Sequence, residues 1–173
     1  MKRNRKTRRR GNSVLEFTLV GIPLIFVLVS TIELARGMWI YHTIGYAVKE
    51  GTRYAVVHGQ NCSKPPNSCS VTIGNIATVI RSAGVGLDSG TLSLTFTDAG
   101  GTATTCTLKD CIANYTTNAW PPSTENAPGL KLKISGSYAF NSVIAMFWPG
   151  AGRPMSGLAT VDLWASSRES IQF

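Results

Sequence analysis

VLEFTLVGIPLIFVLVSTIEL, residues 14–34, decides how the rest of this chain is read. Sixteen residues without a charge run from Phe17 to Ile32. With their apolar flanks they reach the ~20 residues that a helix needs to cross the hydrocarbon of a bilayer. A carboxylate, Glu16, stands at the mouth of the run, where it is costly in lipid and therefore needs a reason. Glu33 and Arg36 close the run, three apart on one helix face, and read as an interfacial ion pair at the membrane exit. Pro23, just after Gly21, bends the helix locally, which membrane helices tolerate.

Toward the N-terminus the charge is concentrated. The chain has 173 residues and a net charge of +8, with 17 basic and 9 acidic side chains. Seven of the basic residues (Lys2, Arg3, Arg5, Lys6, Arg8, Arg9 and Arg10) precede Gly11, which leaves 10 against 9, or +1, for the remainder. A nucleic-acid-binding domain carries its excess on the folded face that meets phosphate. Here the excess is a tail against an apolar segment, the asymmetry that retains an N-terminus in the cytoplasm. No nucleic-acid partner is expected.

Toward the C-terminus the helical pattern continues. A cleaved secretory signal has a shorter apolar core and a small-residue cleavage site after it, and no such site follows here. Instead Ile40, Ile44, Ala47, Val48, Gly51 and Ala55 recur at three- and four-residue intervals, while His42, Lys49, Glu50 and Arg53 take the other side. Gly59 is the expected stop. Residues 14–57 then form one rod on the order of 65 Å long. Its first half suits lipid, and its second half has an apolar stripe that must pack on something.

A basic leader, a glycine, four residues and then Glu-Phe opening an apolar helix resembles a type IV prepilin. The stretch Gly11-Asn-Ser-Val-Leu-Glu16-Phe17 is most similar to the Flp/Tad (tight adherence) branch. The layout of residues 8–57 resembles TadE-like pseudopilins: Glu-Phe, a proline in the apolar run, Glu then Arg at its end, and KEGTRYA closing the helix. LKLKISGSYAF and LATVDLWASSRE resemble their two terminal strands. The resemblance implies cleavage after Gly11, on the cytoplasmic side, by a prepilin peptidase, making Asn12 the new N-terminus. It also implies that Glu16 and Phe17 serve peptidase recognition and assembly, with the Glu16 carboxylate pairing with the α-amino group of a neighbouring subunit. The implied partners are the inner membrane, other pilin and pseudopilin subunits including a TadF-like partner, and the Tad secretion platform.

The expected fold is α+β: a long N-terminal helix packed on a small antiparallel sheet domain with one or more short helices. Residues 1–11 form the cytoplasmic leader, 12–57 the helix with its span at about 14–35, and 58–173 a periplasmic or extracellular domain. Within that domain VTIGNIATVIRSAG places Ile73, Ile76, Ala77 and Ile80 on one helical face. TLSLTFT (91–97) alternates as a strand, DAGG follows as a turn, and TATTCTL is its hairpin partner. LKLKISGSYAF is a further strand, and GLATVDLWASS is the last, with Leu158, Val161 and Leu163 among its apolar members. Trp120, and Phe147-Trp148 before Pro149, read as core or loop anchors more than as a binding tip.

The four cysteines point to two disulfides in an oxidising compartment. Three pairings are possible; Cys62–Cys69 with Cys106–Cys111 is favoured because each staples a local loop. Neither spacing is C-x-x-C, so no zinc site is expected. His42 and His58, on or just after the long helix, read as structural or solvent-facing. No nucleophile elbow, phosphate loop or zinc-protease motif is present, so neither catalysis nor a cofactor is expected. The expected function is that of a minor pilin, at the tip or in initiation of a Flp/Tad-type adhesive pilus. The alternatives are a membrane-anchored periplasmic binding module that never joins a filament, and a type II secretion pseudopilin, whose helix more usually opens on a large apolar residue than on Asn12.

Overall fold

The computed structural model describes residues 12–59, 62, 71–142 and 160–172. Its first element is a single helix, α1 (Asn12–Val56), with Pro23 inside it. In its apolar half the polar side chains satisfy themselves locally. The hydroxyls of Thr18, Ser30 and Thr31 donate to the carbonyls of Val14, Phe26 and Val27 at 2.8–3.1 Å, so none needs a partner outside the helix.

The second half of α1 forms one wall of the core. Ile44, Ala47, Val48, Ala55 and Val56 are buried, and Thr52, buried among them, returns its hydroxyl to the Val48 carbonyl at 2.8 Å. Helix α2 (Ile73–Ala83) starts at Thr72, whose hydroxyl accepts the Asn75 N–H. It lays Ile73, Ile76, Ala77 and Ile80 into the same core. The helices approach closely at Gly51, where a Cβ would fall 2.5 Å from Ile80 Cγ1.

The sheet has strand order β2-β1-β3-β4 and is antiparallel throughout. Its strands are β1 (Leu92–Thr97), β2 (Ala103–Thr107), β3 (Lys131–Asn141) and β4 (Thr160–Ser170). Period-two alternation sorts the two faces. Leu92, Leu94, Phe96, Leu132, Ile134 and Phe140 go inward, while Ser93, Thr95, Thr97, Lys133 and Ser137 go outward. Helix α1 lies across β3 and β4. Gly136 lets it settle there, since a Cβ at that position would sit 3.0 Å from Val48 Cγ2 and 3.1 Å from Ile44 Cγ2.

Connections carry their own polar logic. Asp98 closes the β1–β2 turn by accepting the Thr102 N–H at 2.7 Å, with Gly101 at φ +87° in the left-handed region. Asp88 does similar work before β1: the Thr91 hydroxyl donates to it at 2.6 Å and the Gly90 N–H at 3.3 Å. These bonds, the hydroxyl's first, hold its carboxyl below the usual carboxylate range. After β4, Ile171 is buried, and the Gln172 N–H reaches the Val56 carbonyl at 3.1 Å, tying the last strand to the end of α1.

Two expectations need correction. The hairpin partner of β1 stops at Thr107 instead of running to residue 108, because Thr107 caps a short helix, α3 (Leu108–Asn114). Strand β4 runs on to Ser170; Leu158 lies outside the described residues. Val161 is a member of β4 as expected, and it is 53% exposed because its strand end lies opposite the outer end of β3, beyond the buried part of α1. Trp120, by contrast, is 6% exposed and packs edge-on against Phe96 at 5.4 Å, a core role. Phe147 and Trp148 lie outside the described residues.

Cys106 and Cys111 form a disulfide that joins β2 to α3, with Cα atoms 5.5 Å apart. Cys62 is also disulfide-bonded; Cys69 lies outside the described residues. Replacing Cys106 and Cys111 together by serine is expected to lower stability by about 2 kcal/mol, the loop-entropy value for so short a loop. Chemical denaturation of the purified full chain, compared with the parent, reads this directly.

Candidate membrane and assembly helix

The physical contrast within α1 defines the candidate site. Every side chain that packs into the core follows residue 39, whereas the apolar residues from Val14 to Leu28 are exposed around the whole helix. By length and composition this is a helix able to cross a membrane, and none of its most apolar 18-residue window is buried. Eleven Phe, Leu, Val and Ile side chains lie between residues 17 and 32. At roughly 0.3–0.6 kcal/mol each near the bilayer centre, they favour insertion by several kcal/mol. In water the same surface is an unmet demand for burial.

Gly11 lies outside the described residues. Asn12 opens α1, and Glu16 and Phe17 follow on its first turns, both exposed. The two residues expected to serve recognition and assembly are therefore neighbours on an accessible helix end. They are far from the disulfide at Cys106–Cys111, which belongs to the sheet domain and not to this site.

The far end of the run is less simple than an ion pair at a boundary. Glu33 is only 8% exposed, and its carboxylate lies 3.7 Å from the Arg36 guanidinium. Arg36 in turn donates a hydrogen bond to the Asn141 carbonyl and lies 4.7 Å from the centroid of the Phe140 ring. The ring also lies over Gly37, where a Cβ would stand in ordinary contact with it at 3.7 Å. Arg36 thus clasps the end of β3 to the helix at the point where the apolar run ends. Sequence reading found the pair but not the clasp, because helical spacing reports neighbours on one element and is silent about a carbonyl 105 residues away.

Beyond the clasp, Met38, Trp39, Tyr41 and Tyr46 are exposed on the helix, Trp39 at 65%. Aromatic residues just past an apolar span are typical of the membrane–water boundary. His42 stacks edge-on with Tyr41 at 5.7 Å. His58 Nδ1 lies 2.7 Å from the Tyr54 carbonyl, beside the Tyr54 ring. Both histidines are accounted for by helix neighbours. Among the described residues, no three His, Cys, Asp or Glu side chains gather in a way that would hold a metal.

Comparison with known proteins reaches the helix and stops there. No curated protein and no solved structure matches the chain. The model of the family described as TadE-like protein matches residues 11–53, a stretch that takes in Gly11, Glu16, Phe17, Pro23, the Glu33–Arg36 pair and most of the half of the rod built into the core. Over that stretch the chain is similar to the TadE-like family.

Proposed function

We propose that this chain is a minor pilin or pseudopilin that takes part in initiating or tipping a Flp/Tad-type pilus used for adhesion. The observation that carries the reading is the two-part helix. Its outer half is locked into a folded domain, while its inner half exposes apolar surface on all sides. The TadE-like match over residues 11–53 supports it.

The mechanism follows from the chemistry of the helix end. While the basic leader is attached, seven cations hold the N-terminus on the cytoplasmic side and oppose extraction of the helix. A prepilin peptidase cutting after Gly11 removes them and creates an α-amino group at Asn12. Five residues along the mature chain, Glu16 supplies a carboxylate. In a bundle of such helices the amine of one subunit pairs with the Glu16 of the next, which sets register more than it adds stability. The apolar half then exchanges lipid neighbours for sister helices, and the outer domain is carried on the filament surface.

Intact mass and N-terminal sequence of the protein from its native host test this. A chain beginning at Asn12 and present in sheared fibre preparations is the expected result. An intact leader in a protein that never enters fibres overturns the reading and favours a simple membrane-anchored module. Glu16→Ala is expected to leave insertion intact but to cut fibre incorporation by on the order of a hundredfold. That fall corresponds to about 3 kcal/mol, the lower end of the roughly 3–5 kcal/mol lost when one partner of a buried pair is removed. Unchanged piliation would remove the role given to Glu16.

A further inference from the structure

The end of the β3–β4 hairpin lies level with the end of the apolar run. Phe140 touches the Gly37 position, and the Asn141 carbonyl accepts from Arg36. Residues 14–34 rise ~31 Å at 1.5 Å per residue, about the thickness of bilayer hydrocarbon, and the headgroup layer adds ~5–8 Å on each side. Positions 36 and 37 fall ~3–5 Å past Leu34, inside that layer, and the hairpin end is fixed beside them.

The surface there suits an interface. Val161, paired across from Phe140, is 53% exposed, whereas Leu163 and Ala165 on the same face of β4 are half-buried beneath α1. Met38, Trp39 and Tyr41 are exposed on the helix at or just above this level. The Arg36 side chain, 44% exposed, offers a cation to headgroup phosphate. Glu33, paired with Arg36 at 3.7 Å, and Asp162, on the outward face of β4 away from Val161, carry the nearby negative charge.

We propose that Asn141 and Val161, with Arg36, form a lipid-contacting foot that seats the outer domain in the headgroup layer, with the buried Phe140 ring fixing the foot to the helix. It is a second membrane contact beside the span, and it rests on reading α1 as that span. The foot fixes how the domain faces the bilayer, and a subunit leaving lipid must lift it as well as withdraw the helix.

The test uses the full chain reconstituted in phosphatidylethanolamine–phosphatidylglycerol vesicles. Single cysteines are introduced at Val161, Asn141, Lys131 or Leu24 and labelled, without reductant, with an environment-sensitive fluorophore. Lys131 is on the same hairpin, ten residues and ~33 Å of strand from Asn141. Lipid carrying a nitroxide near its headgroup should quench the labels at Val161 and Asn141 at least about twofold more than the label at Lys131. Aqueous iodide should show the reverse order. Equal quenching at the hairpin end and at Lys131 overturns the foot. So does protection of Val161 from both quenchers, which would mean that a protein covers it. The Leu24 label separates the two readings: if lipid carrying its nitroxide deep in the acyl chain fails to quench it, the span itself is wrong. If Leu24 is quenched and Val161 is not, only the foot is lost.

Discussion

Gly51→Val is expected to destabilise the outer domain by on the order of 3 kcal/mol, the upper range for forcing extra methyl groups into a packed core. A Cβ at Gly51 meets Ile80 Cγ1 at 2.5 Å and Cδ1 at 2.7 Å, with Ile76 Cγ2 at 3.4 Å behind them. Both isoleucines are fully buried, so neither can swing aside. Valine's own gain over glycine in a helix is a fraction of a kcal/mol and does not offset this. Denaturant unfolding of the full chain in detergent gives the loss. The double variant with Ile80→Ala identifies its cause. Ile80→Ala alone should cost about 2–5 kcal/mol through the cavity it leaves, but the two changes together should cost at least about 1 kcal/mol less than their sum. Strict additivity would mean that α1 and α2 are not in direct contact at Gly51.

Ile25→Arg is expected to act on the other half of the same helix and to leave the domain alone. At the centre of a span an arginine costs about 2.5–3.5 kcal/mol and an isoleucine contributes about 0.5 kcal/mol. The insertion equilibrium should therefore fall by roughly 150- to 700-fold at 1.4 kcal/mol per decade. Ile25→Leu should change nothing measurable. Alkaline-carbonate extraction of membranes, with the protein followed by immunoblot, reads the difference. If the arginine variant stays fully membrane-integral, Ile25 does not lie near the middle of the bilayer. Unfolding of the domain in detergent is the control, and it should match the parent, since Ile25 is exposed and touches none of the core.

These two substitutions lie 26 positions apart on one helix and probe unlike environments. That division is legible in the order of the residues alone. The change from an unbroken apolar run to a stripe at Ile40, Ile44, Ala47, Val48, Gly51 and Ala55 states that the first half meets apolar surroundings on all sides and the second on one. The strand alternation of LSLTFT and KLKISGSYAF is equally plain, because period two forces every other side chain to one face. Helix α3 is not legible in the same way. Its seven residues are too short to show periodicity, and the capping exchange between Thr107 and Asp110 looks, in one dimension, like the polar end of a strand. The strand pattern of β4 is visible, but not the exposure of Val161, since alternation assigns a face without saying how far the covering helix extends.

The amino-acid sequence by itself determined the local and periodic features: a membrane-length apolar rod, a cationic tail before it, a glycine five residues ahead of a glutamate, and strands whose apolar residues alternate. Each follows from short-range geometry repeated along one element. Only the tertiary structure decided that Arg36 clasps the end of β3 through the Asn141 carbonyl and the Phe140 ring. It alone showed that Gly51 and Gly136 are points of close approach between layers, and that the hairpin end lies level with the end of the apolar run. Those contacts join residues tens of positions apart, and their existence depends on how rigid elements are placed against one another, which no periodicity within a single element records.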